Sequence, residues 1–298
     1  MLFRWMQNNA FWGLLCLSAL ATMDLGHTAS TKRGVGSTKK GVGMSSLYYN
    51  CNDVEQFTNI AWWYSWGIST AFHSDRDHMC SNELQQKDKY IPMCWGYWPQ
   101  PPTKKEFNFL APSSDINKHV LGFYEPNHMR QAFMKPAEAA DRWRELEAAG
   151  KANGATKFVS PAAAPGGIYD HFQWFDEFFQ SCSDCQIDYI STHCYYEKPT
   201  EVMDYLKSLW ERYNKKIFLT EFALPHTDDE DKQLAYMKEL LPMLEDAEYV
   251  EKYAWFASRK GTGTGYVKSS CSLLDHKLTT DGKYESKLTP LGEYYNNF

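Results

Sequence analysis

Short β-rich runs recur along this sequence, and in its second half they alternate with longer amphipathic segments. Strands that alternate with helices predict a parallel sheet in an α/β protein, and eight such strands are typical of a single (β/α)8 TIM barrel. In that fold the chemistry takes place where the strands end and the following loops begin. The eight runs lie at residues 40–44, 60–66, 90–95, 120–125, 157–160, 187–195, 216–223 and 250–257.

The later intervals carry the end signals of α-helices. In residues 135–150, Pro136 stands near the start, Glu138 lies in the first turn and Gly150 follows the end. Apolar residues recur in this interval at the three- and four-residue spacing of one helix face. A doubly wound sheet is the alternative architecture, but no G-x-G-x-x-G motif follows the first run. Three further helices are predicted at residues 171–180, 201–213 and 228–248.

The first residues have the pattern of a secretory signal peptide. Arg4 precedes a short apolar run at residues 11–23, and small residues follow it. This run is shorter than the roughly 20 residues that a membrane span needs, so an uncleaved anchor is the less favoured alternative. We therefore predict a signal peptide at residues 1–29, a flexible lead-in at 30–38 and one catalytic domain at 39–298. The secreted protein is expected to be extracellular, without a membrane partner after cleavage.

Cysteine usage agrees with secretion. Cys182 and Cys185 form a C-x-x-C motif, and no second pair of ligands with zinc-site spacing follows nearby. A redox motif of this kind belongs to a cytosolic, thioredoxin-like context, so a local structural disulfide is the favoured interpretation. Cys51 and Cys80 lie in polar, loop-like stretches and are candidates for a second bridge.

Composition narrows the class of partner. The net charge of −6 argues against nucleic acid, whose binding proteins lean basic. Aromatic residues make up 16% of the chain, more than core packing needs. Their flat apolar faces and polar edges suit sugars as well as protein partners.

Polar residues end several of the predicted strands. Glu125 ends the fourth run, His193 and Tyr195 end the sixth, and Glu221 lies in the seventh. A carboxylate on an apolar strand is costly unless it is solvated in a site or paired. Two carboxylates at the same end of a barrel can flank a glycosidic bond, as in glycoside hydrolases. Separate structural ion pairs with lysine or arginine are the alternative.

Ten segments together carry a resemblance to a known family. The chain resembles glycoside hydrolase family 128, the alkali-sensitive-linkage-like hydrolases in the clan A of retaining (β/α)8 enzymes. The resemblance runs from about residue 39 to residue 296 and depends on the order and spacing of the segments. They are KKGVG, WWYSWG, YIPMCWG, LGFYEPN, MKPAEAADRWRELE, VSPA, IDYISTHCYY, IFLTEFA, YAWFA and LTPLGEYY.

The resemblance implies cleavage of β-1,3-glucan inside the chain with net retention. We expect a monomer without cofactor or metal. Glu125 then takes the place of the acid/base and Glu221 that of the nucleophile. In a retaining enzyme their carboxyl groups lie about 5–5.5 Å apart. Glu125 must hold a proton, so we expect an aromatic cleft and the charge of Glu221 to raise its pKa. Glu221 must stay ionised, and His193 and Tyr195 are the candidate hydrogen-bond donors.

Tryptophans are the candidate stacking platforms for glucose rings. Tryptophan also packs in protein cores. For Trp62 and Trp63 we favour core packing or leave open whether they pack in the core or stack on sugar. A structural histidine without a metal role is the alternative for His193. The predicted platforms are Trp66, Trp95, Trp98 and Trp255.

Two positions depart from the family pattern. Tyr124 stands where the clan has an Asn that contacts the sugar 2-hydroxyl, so either the Tyr124 hydroxyl or Asn127 must replace that contact. Cys194 stands where the family has Trp, which alters the shape of the cleft. Because of Tyr124, a glucan-binding protein that has lost turnover is the alternative to an active glucanase. A redox or metal protein based on the C-x-x-C motif is a distant third hypothesis.

Overall fold

The computed structural model describes residues 37–45, 48–68, 86–96, 118–263 and 265–298, which contain seven strands and five α-helices. Strands and α-helices alternate from the third strand onward. The strands are β1 Lys40–Gly43, β2 Trp62–Tyr64, β3 His119–Leu121, β4 Lys157–Val159, β5 Ile190–Cys194, β6 Ile217–Phe222 and β7 Val250–Trp255. The helices are α1 Pro136–Ala152, α2 His171–Ser181, α3 Pro199–Tyr213, α4 Glu230–Asp246 and α5 Pro290–Asn297.

The strands are arranged around a ring of parallel neighbours. One sheet has the order β2-β1-β7-β6-β5, and β3 pairs with β4 in a second sheet. Isolated parallel bridges join Trp63 to Tyr90 and Met93 to Leu121, so residues 90–93 connect β2 to β3. Another bridge joins Val159 to Tyr189, next to β5. This circuit of eight parallel segments is the predicted (β/α)8 fold.

The predicted elements lie where the sequence patterns place them. Seven of the eight β-rich runs overlap a strand, and the run at 90–95 is an extended segment bonded to both neighbours. The four predicted helices are α1 to α4, within two residues at each end. Asp170 and Asp229 cap α2 and α4 by accepting hydrogen bonds from backbone N–H groups of the first turn. Helix α5 was not predicted.

Two apolar layers stabilise the barrel. The outer layer packs the helices against the sheet, whereas the inner one fills the barrel interior. Trp62 and Trp63 are both fully buried, one in each layer, because neighbouring residues of a strand point to opposite faces. The Trp62 ring crosses Gly41 so closely that a Cβ there would lie 2.3 Å from it. The inner layer consists of Trp62, Tyr64, Ile91, Met93, Leu121, Val159, Phe218 and Ala254.

Cys182 and Cys185 form a disulfide after the end of α2, with their Cα atoms 5.1 Å apart. Cys51 is described, but Cys80 lies outside the described residues, as do the predicted signal peptide and Trp98. Within the described part of the chain, no helix combines the length and the apolar character needed to cross a bilayer.

Candidate active site

The two candidate catalytic carboxylates lie together at the carboxyl ends of the strands. Glu221 is part of β6, and its side chain is almost completely buried. Glu125 follows β3 in a loop that is anchored by a parallel bridge from Tyr124 to Ala162. The backbone of Glu125 has a φ of 39°, a left-handed conformation that non-glycine residues rarely adopt. Such strain is frequent at functional sites.

The separation of the carboxylates is short. One oxygen of Glu125, one oxygen of Glu221 and one ring nitrogen of His193 all lie within 4.8 Å of one another. Inverting glycosidases need about 6.5–9.5 Å between the two carboxyl groups to make room for a water molecule. The spacing of the nearest oxygens is thus shorter than an inverting pair needs.

Glu221 accepts hydrogen bonds on both of its oxygens. Trp66 donates its indole N–H to Oε1 at 2.7 Å. Tyr195 donates its hydroxyl to Oε2 at 2.6 Å, as predicted, and the Tyr124 hydroxyl reaches the same oxygen at 3.3 Å. Trp66 was predicted as a stacking platform, but its indole edge orients this carboxylate. These donors hold the carboxylate in a fixed direction, as a nucleophile requires.

His193 pairs with the other carboxylate. Its Nδ1 lies 2.7 Å from Glu125 Oε1 but 3.7 Å from Glu221 Oε2, so the predicted donation to Glu221 is replaced by a bond to Glu125. The buried side chain of His193 lies between the two carboxylates. Burial lowers the pKa of His193, but the charges of Glu221 and Glu125 and the hydrogen bond to Glu125 outweigh it and raise that pKa overall.

The pKa values of Glu125 and Glu221 shift in the directions opposite to those expected. Burial raises the pKa of Glu125, but the hydrogen bond and the charge of His193 outweigh burial, so its pKa is lowered. The pKa of Glu221 is raised, first by burial and then by the charge of Glu125. The expected raised pKa of Glu125 is therefore wrong for the unliganded site, because sequence reasoning did not pair this carboxylate with His193.

Tyr124 lines the same cavity as the two carboxylates. Its ring stacks on Trp95 at a centroid distance of 5.7 Å and lies 5.0 Å from the His193 ring. Its hydroxyl lies next to Glu221 at the position where the family pattern has Asn.

Asn127 does not take that role. It is fully buried, its amide donates to the carbonyl oxygens of Ala164 and Tyr169, and its oxygen accepts from the Ala164 N–H. The prediction of a sugar contact is wrong because this side chain holds two loops together.

The predicted role of Trp255 as a stacking platform is also wrong. Its ring is fully buried against Phe222, and its N–H donates to the carbonyl oxygen of Cys271. It cannot stack on a glucose ring. The next residue, Phe256, lines the cleft instead. The alternation of side chains along a strand is the signal that could have found Phe256.

The cleft has two lobes that meet at Tyr124, Gln131, Phe256 and Lys260. The acid-side lobe, of about 380 Å³, contains both carboxylates and is walled by Met129, Ile168 and Tyr266. The aromatic lobe, of about 490 Å³, is walled by Trp66, Trp95, Tyr48 and Arg259. Lys260 and Tyr266 were missed because they follow the eighth run in a loop that was assigned no role, whereas Phe256 lies within that run.

The same cluster has the donor types of a cation site. Glu125, His193 and Glu221 each offer one atom within the common 4.8 Å. However, the oxygens of Glu221 are directed at the N–H of Trp66 and the O–H of Tyr195, which are partners for a carboxylate and not for a cation. The arrangement suits acid–base and nucleophilic chemistry better than metal ligation.

Known proteins share this architecture. The profile of the family described as "Glycosyl hydrolase catalytic core" matches residues 41–295. Alkali-sensitive linkage protein 1 of Schizosaccharomyces pombe is 29% identical over 232 residues, which cover 74% of this chain but only 38% of that protein. The chain thus spans well under half the length of this relative.

Solved structures are similar over nearly their whole length. A family 128 subgroup II endo-β-1,3-glucanase from Sorangium cellulosum is 28% identical with a TM-score of 0.68, covering 87% of this chain and 97% of that one. A subgroup III curdlan-specific exo-β-1,3-glucanase from Blastomyces gilchristii, in complex with glucose, is 24% identical with a TM-score of 0.65. The match covers 89% of this chain and 100% of that chain. At this level of identity it supports only a shared fold.

Proposed function

Since the chain belongs to the glycosyl hydrolase catalytic core family, and within it to glycoside hydrolase family 128, we propose that it is a secreted endo-β-1,3-glucanase with a retaining mechanism. The observation that carries the proposal is the pair of carboxylates within 4.8 Å at the base of a two-lobed cleft. The similarity to an endo-β-1,3-glucanase at 28% identity supports the substrate.

The proposed reaction is a double displacement. Glu221 attacks the anomeric carbon, while Glu125 gives a proton to the departing glycosidic oxygen. A covalent glycosyl ester on Glu221 results. In the second step Glu125 takes a proton from water, and this water opens the ester with a second inversion at the same carbon. Trp66 and Tyr195 keep the Glu221 carboxylate directed at that carbon.

In this proposal His193 stores the proton that Glu125 delivers. Its raised pKa and the 2.7 Å contact to Glu125 support an ion pair in the free enzyme. A sugar that fills the cleft excludes water and makes separated charges costlier, which favours the neutral pair of imidazole and protonated carboxyl. Catalysis then requires that Glu125 and His193 together hold one proton. This proton is lost as the pH rises through the pKa of His193, which is raised.

We expect His193→Gln to shift the basic limb of the kcat/KM profile. In the wild type the limb should lie above about pH 6.5, the ordinary histidine pKa. Without the imidazole the limb follows Glu125 alone, and we expect it at a pH lower by about one unit or more. His276→Gln is the control, because His276 contacts Ser272 and neither carboxylate. If the basic limb of the kcat/KM profile is unchanged in His193→Gln, His193 does not hold the proton that Glu125 delivers.

The two lobes support attack within a chain. The aromatic lobe and the acid-side lobe share Tyr124, Gln131, Phe256 and Lys260, so they adjoin along one cleft. A polysaccharide can therefore continue on both sides of the reacting bond, as internal cleavage requires. Secretion is proposed from residues 11–23 and from the Cys182–Cys185 disulfide, which is typical of oxidising compartments.

Early products from laminarin and from linear β-1,3-oligosaccharides test the proposed function. We expect oligosaccharides of mixed length before glucose accumulates, and Tyr124→Asn should retain or raise turnover. If the wild type releases only glucose, the endo proposal is wrong. If it binds laminarin without any product and Tyr124→Asn alone gains activity, a glucan-binding protein replaces the enzyme. This alternative arises because Tyr124 stands where the family pattern has Asn.

A further inference from the structure

Three side chains among the described residues donate hydrogen bonds to Glu221. Trp66 donates to Oε1 at 2.7 Å, while Tyr195 and Tyr124 donate to Oε2 at 2.6 Å and 3.3 Å. An ionised carboxylate has about four lone-pair positions in total. One of these must face the anomeric carbon when the carboxylate attacks it. The protein's own donors therefore leave Glu221 no free position for a hydroxyl of the substrate.

The hydroxyl of Tyr124 is held next to Glu221 by the packing of its ring. The ring stacks on Trp95 with an interplanar angle of 18°, and the Tyr124 backbone N–H donates to the Trp95 carbonyl oxygen at 2.8 Å. Burial and the charge of Glu221 raise the pKa of Tyr124, so the hydroxyl keeps its proton and acts as a donor. The distance of 3.3 Å is long for such a bond, and catalytic hydrogen bonds often shorten when the substrate is bound.

A third donor has a physical purpose at this position. Burial raises the pKa of Glu221 and so favours the protonated form, which cannot attack. Hydrogen bonds to the carboxylate counter this effect by stabilising the ionised form. In glycosidases generally, a hydrogen bond of the sugar 2-hydroxyl that strengthens in the transition state supplies part of the rate. Here a fixed hydroxyl of the protein stands beside the nucleophile before any substrate arrives.

The usual partner of the sugar 2-hydroxyl is missing in this chain. Tyr124 stands where the family pattern has the asparagine that contacts this hydroxyl. An asparagine amide ends close to the backbone, whereas the tyrosine hydroxyl stands beyond an aromatic ring and reaches Glu221 instead. The nearby amide of Asn127 is engaged with Ala164 and Tyr169. The contact has thus moved from the substrate to the nucleophile.

We propose that Tyr124 is a specificity-determining residue whose hydroxyl replaces the substrate 2-hydroxyl as a donor to Glu221, so that the protein also cleaves β-1,3-glucosides that lack this hydroxyl. This inference rests on the proposed retaining mechanism. The substrate class has a 2-deoxy sugar at the reacting carbon, joined by an ordinary β linkage. Because Tyr124 acts through Glu221, it is a positioning residue for the nucleophile and sets the tolerance for changes at C2.

Two substrates that differ in one hydroxyl test the proposal. They are 4-nitrophenyl β-laminaribioside and its analogue without the 2-hydroxyl on the sugar joined to nitrophenol. The kcat/KM for nitrophenol release reports the step in which Glu221 attacks. Since a 2-deoxy sugar is intrinsically more reactive, the informative quantity is the ratio of the two kcat/KM values, compared between the wild type and variants. The intrinsic reactivity cancels in this comparison.

Tyr124→Phe keeps the ring and removes the hydroxyl. The ordinary substrate can then supply its own 2-hydroxyl to the freed position on Glu221, but the 2-deoxy substrate cannot. We expect the ratio of 2-deoxy to ordinary kcat/KM to fall about tenfold or more, the effect of one hydrogen bond to a charged group. Tyr124→Asn should lower the ratio too, because its amide regains the contact with the 2-hydroxyl of the ordinary substrate.

Tyr249→Phe is the matched control, since it also removes one tyrosine hydroxyl. Tyr249 directly precedes β7 at the amino end of this strand, opposite to the carboxylates. Its ring stacks on Trp210, and its hydroxyl donates to the Met203 carbonyl oxygen at 3.4 Å. Both kcat/KM values and their ratio should equal those of the wild type.

The outcomes separate this inference from the proposed function. No release of nitrophenol from either substrate refutes the glycosidase and the inference with it. If the wild type cleaves the ordinary substrate with a kcat/KM on the order of 10³-fold above that for the 2-deoxy substrate, the inference is wrong and the hydrolase stands. A ratio that stays unchanged in Tyr124→Phe and Tyr124→Asn, with both kcat/KM values altered by the same factor, refutes the role of Tyr124.

Discussion

Replacing Glu221 with Gln is expected to lower hydrolysis of β-1,3-glucan by on the order of 10⁴-fold or more, the scale seen when other hydrolases lose a nucleophile. The amide keeps the shape of the side chain but cannot form the glycosyl ester. The Trp and Tyr walls of the cleft stay in place, so the ground-state affinity for laminari-oligosaccharides should remain largely intact. Initial rates and calorimetric titration measure these two effects separately.

The fold of Glu221→Gln should persist, since a buried charge is replaced by a neutral group of equal size. Glu251→Gln is the matched control, because Glu251 lies on the adjacent strand β7 and forms an exposed ion pair with Lys216. It should retain full activity. Comparable rates for Glu221→Gln and the wild type, with equal thermal stability, contradict the assignment of the nucleophile.

Replacing Glu125 with Ala is expected to lower glucan hydrolysis by about 10²–10⁴-fold, the usual contribution of a general acid–base group. Substrates with an activated leaving group, such as dinitrophenyl glycosides, need no proton for departure, so formation of the glycosyl ester should be nearly normal. Its breakdown should be slow, because no base activates water. A burst of dinitrophenol followed by a slow phase is the expected trace.

Azide then identifies which carboxylate is which. In Glu125→Ala the small anion fits the vacated space and should restore turnover, giving a β-glycosyl azide. The corresponding product of Glu221→Ala should be an α-glycosyl azide, because only one displacement takes place. Glu145→Ala is the control, since this exposed residue pairs with Arg142 on α1. If the two variants give the opposite anomers, the two roles are exchanged.

The positions at strand ends could be predicted from the sequence alone. Glu125, Glu221 and Tyr195 were found because residues that end parallel strands meet at one face of a barrel, whatever the length of the helices between them. The same rule predicts which residues lie close together but not the direction in which each side chain points. Trp255 satisfies it by position, but its ring points into the outer core, and Phe256 faces the cleft in its place.

Contacts between residues distant in sequence could not be predicted. Asn127 is two residues from the acid/base, yet its amide is occupied by the loop around Ala164 and Tyr169. His193 turns to Glu125 instead of Glu221, and this single hydrogen bond reverses the expected direction of the Glu125 pKa. Such effects depend on differences of about 1 Å between alternative partners, and no periodicity in the sequence reports them.

The anomeric configuration of the first product tests the central claim most directly. Wild-type protein is added to laminarin in deuterated buffer, and the anomeric protons are followed by NMR from the first minutes, before mutarotation. The carboxylate oxygens within 4.8 Å predict that new reducing ends appear first as the β-anomer and convert slowly to the equilibrium mixture. Initial appearance of the α-anomer would contradict the retaining mechanism and the assignment of Glu221 as its nucleophile.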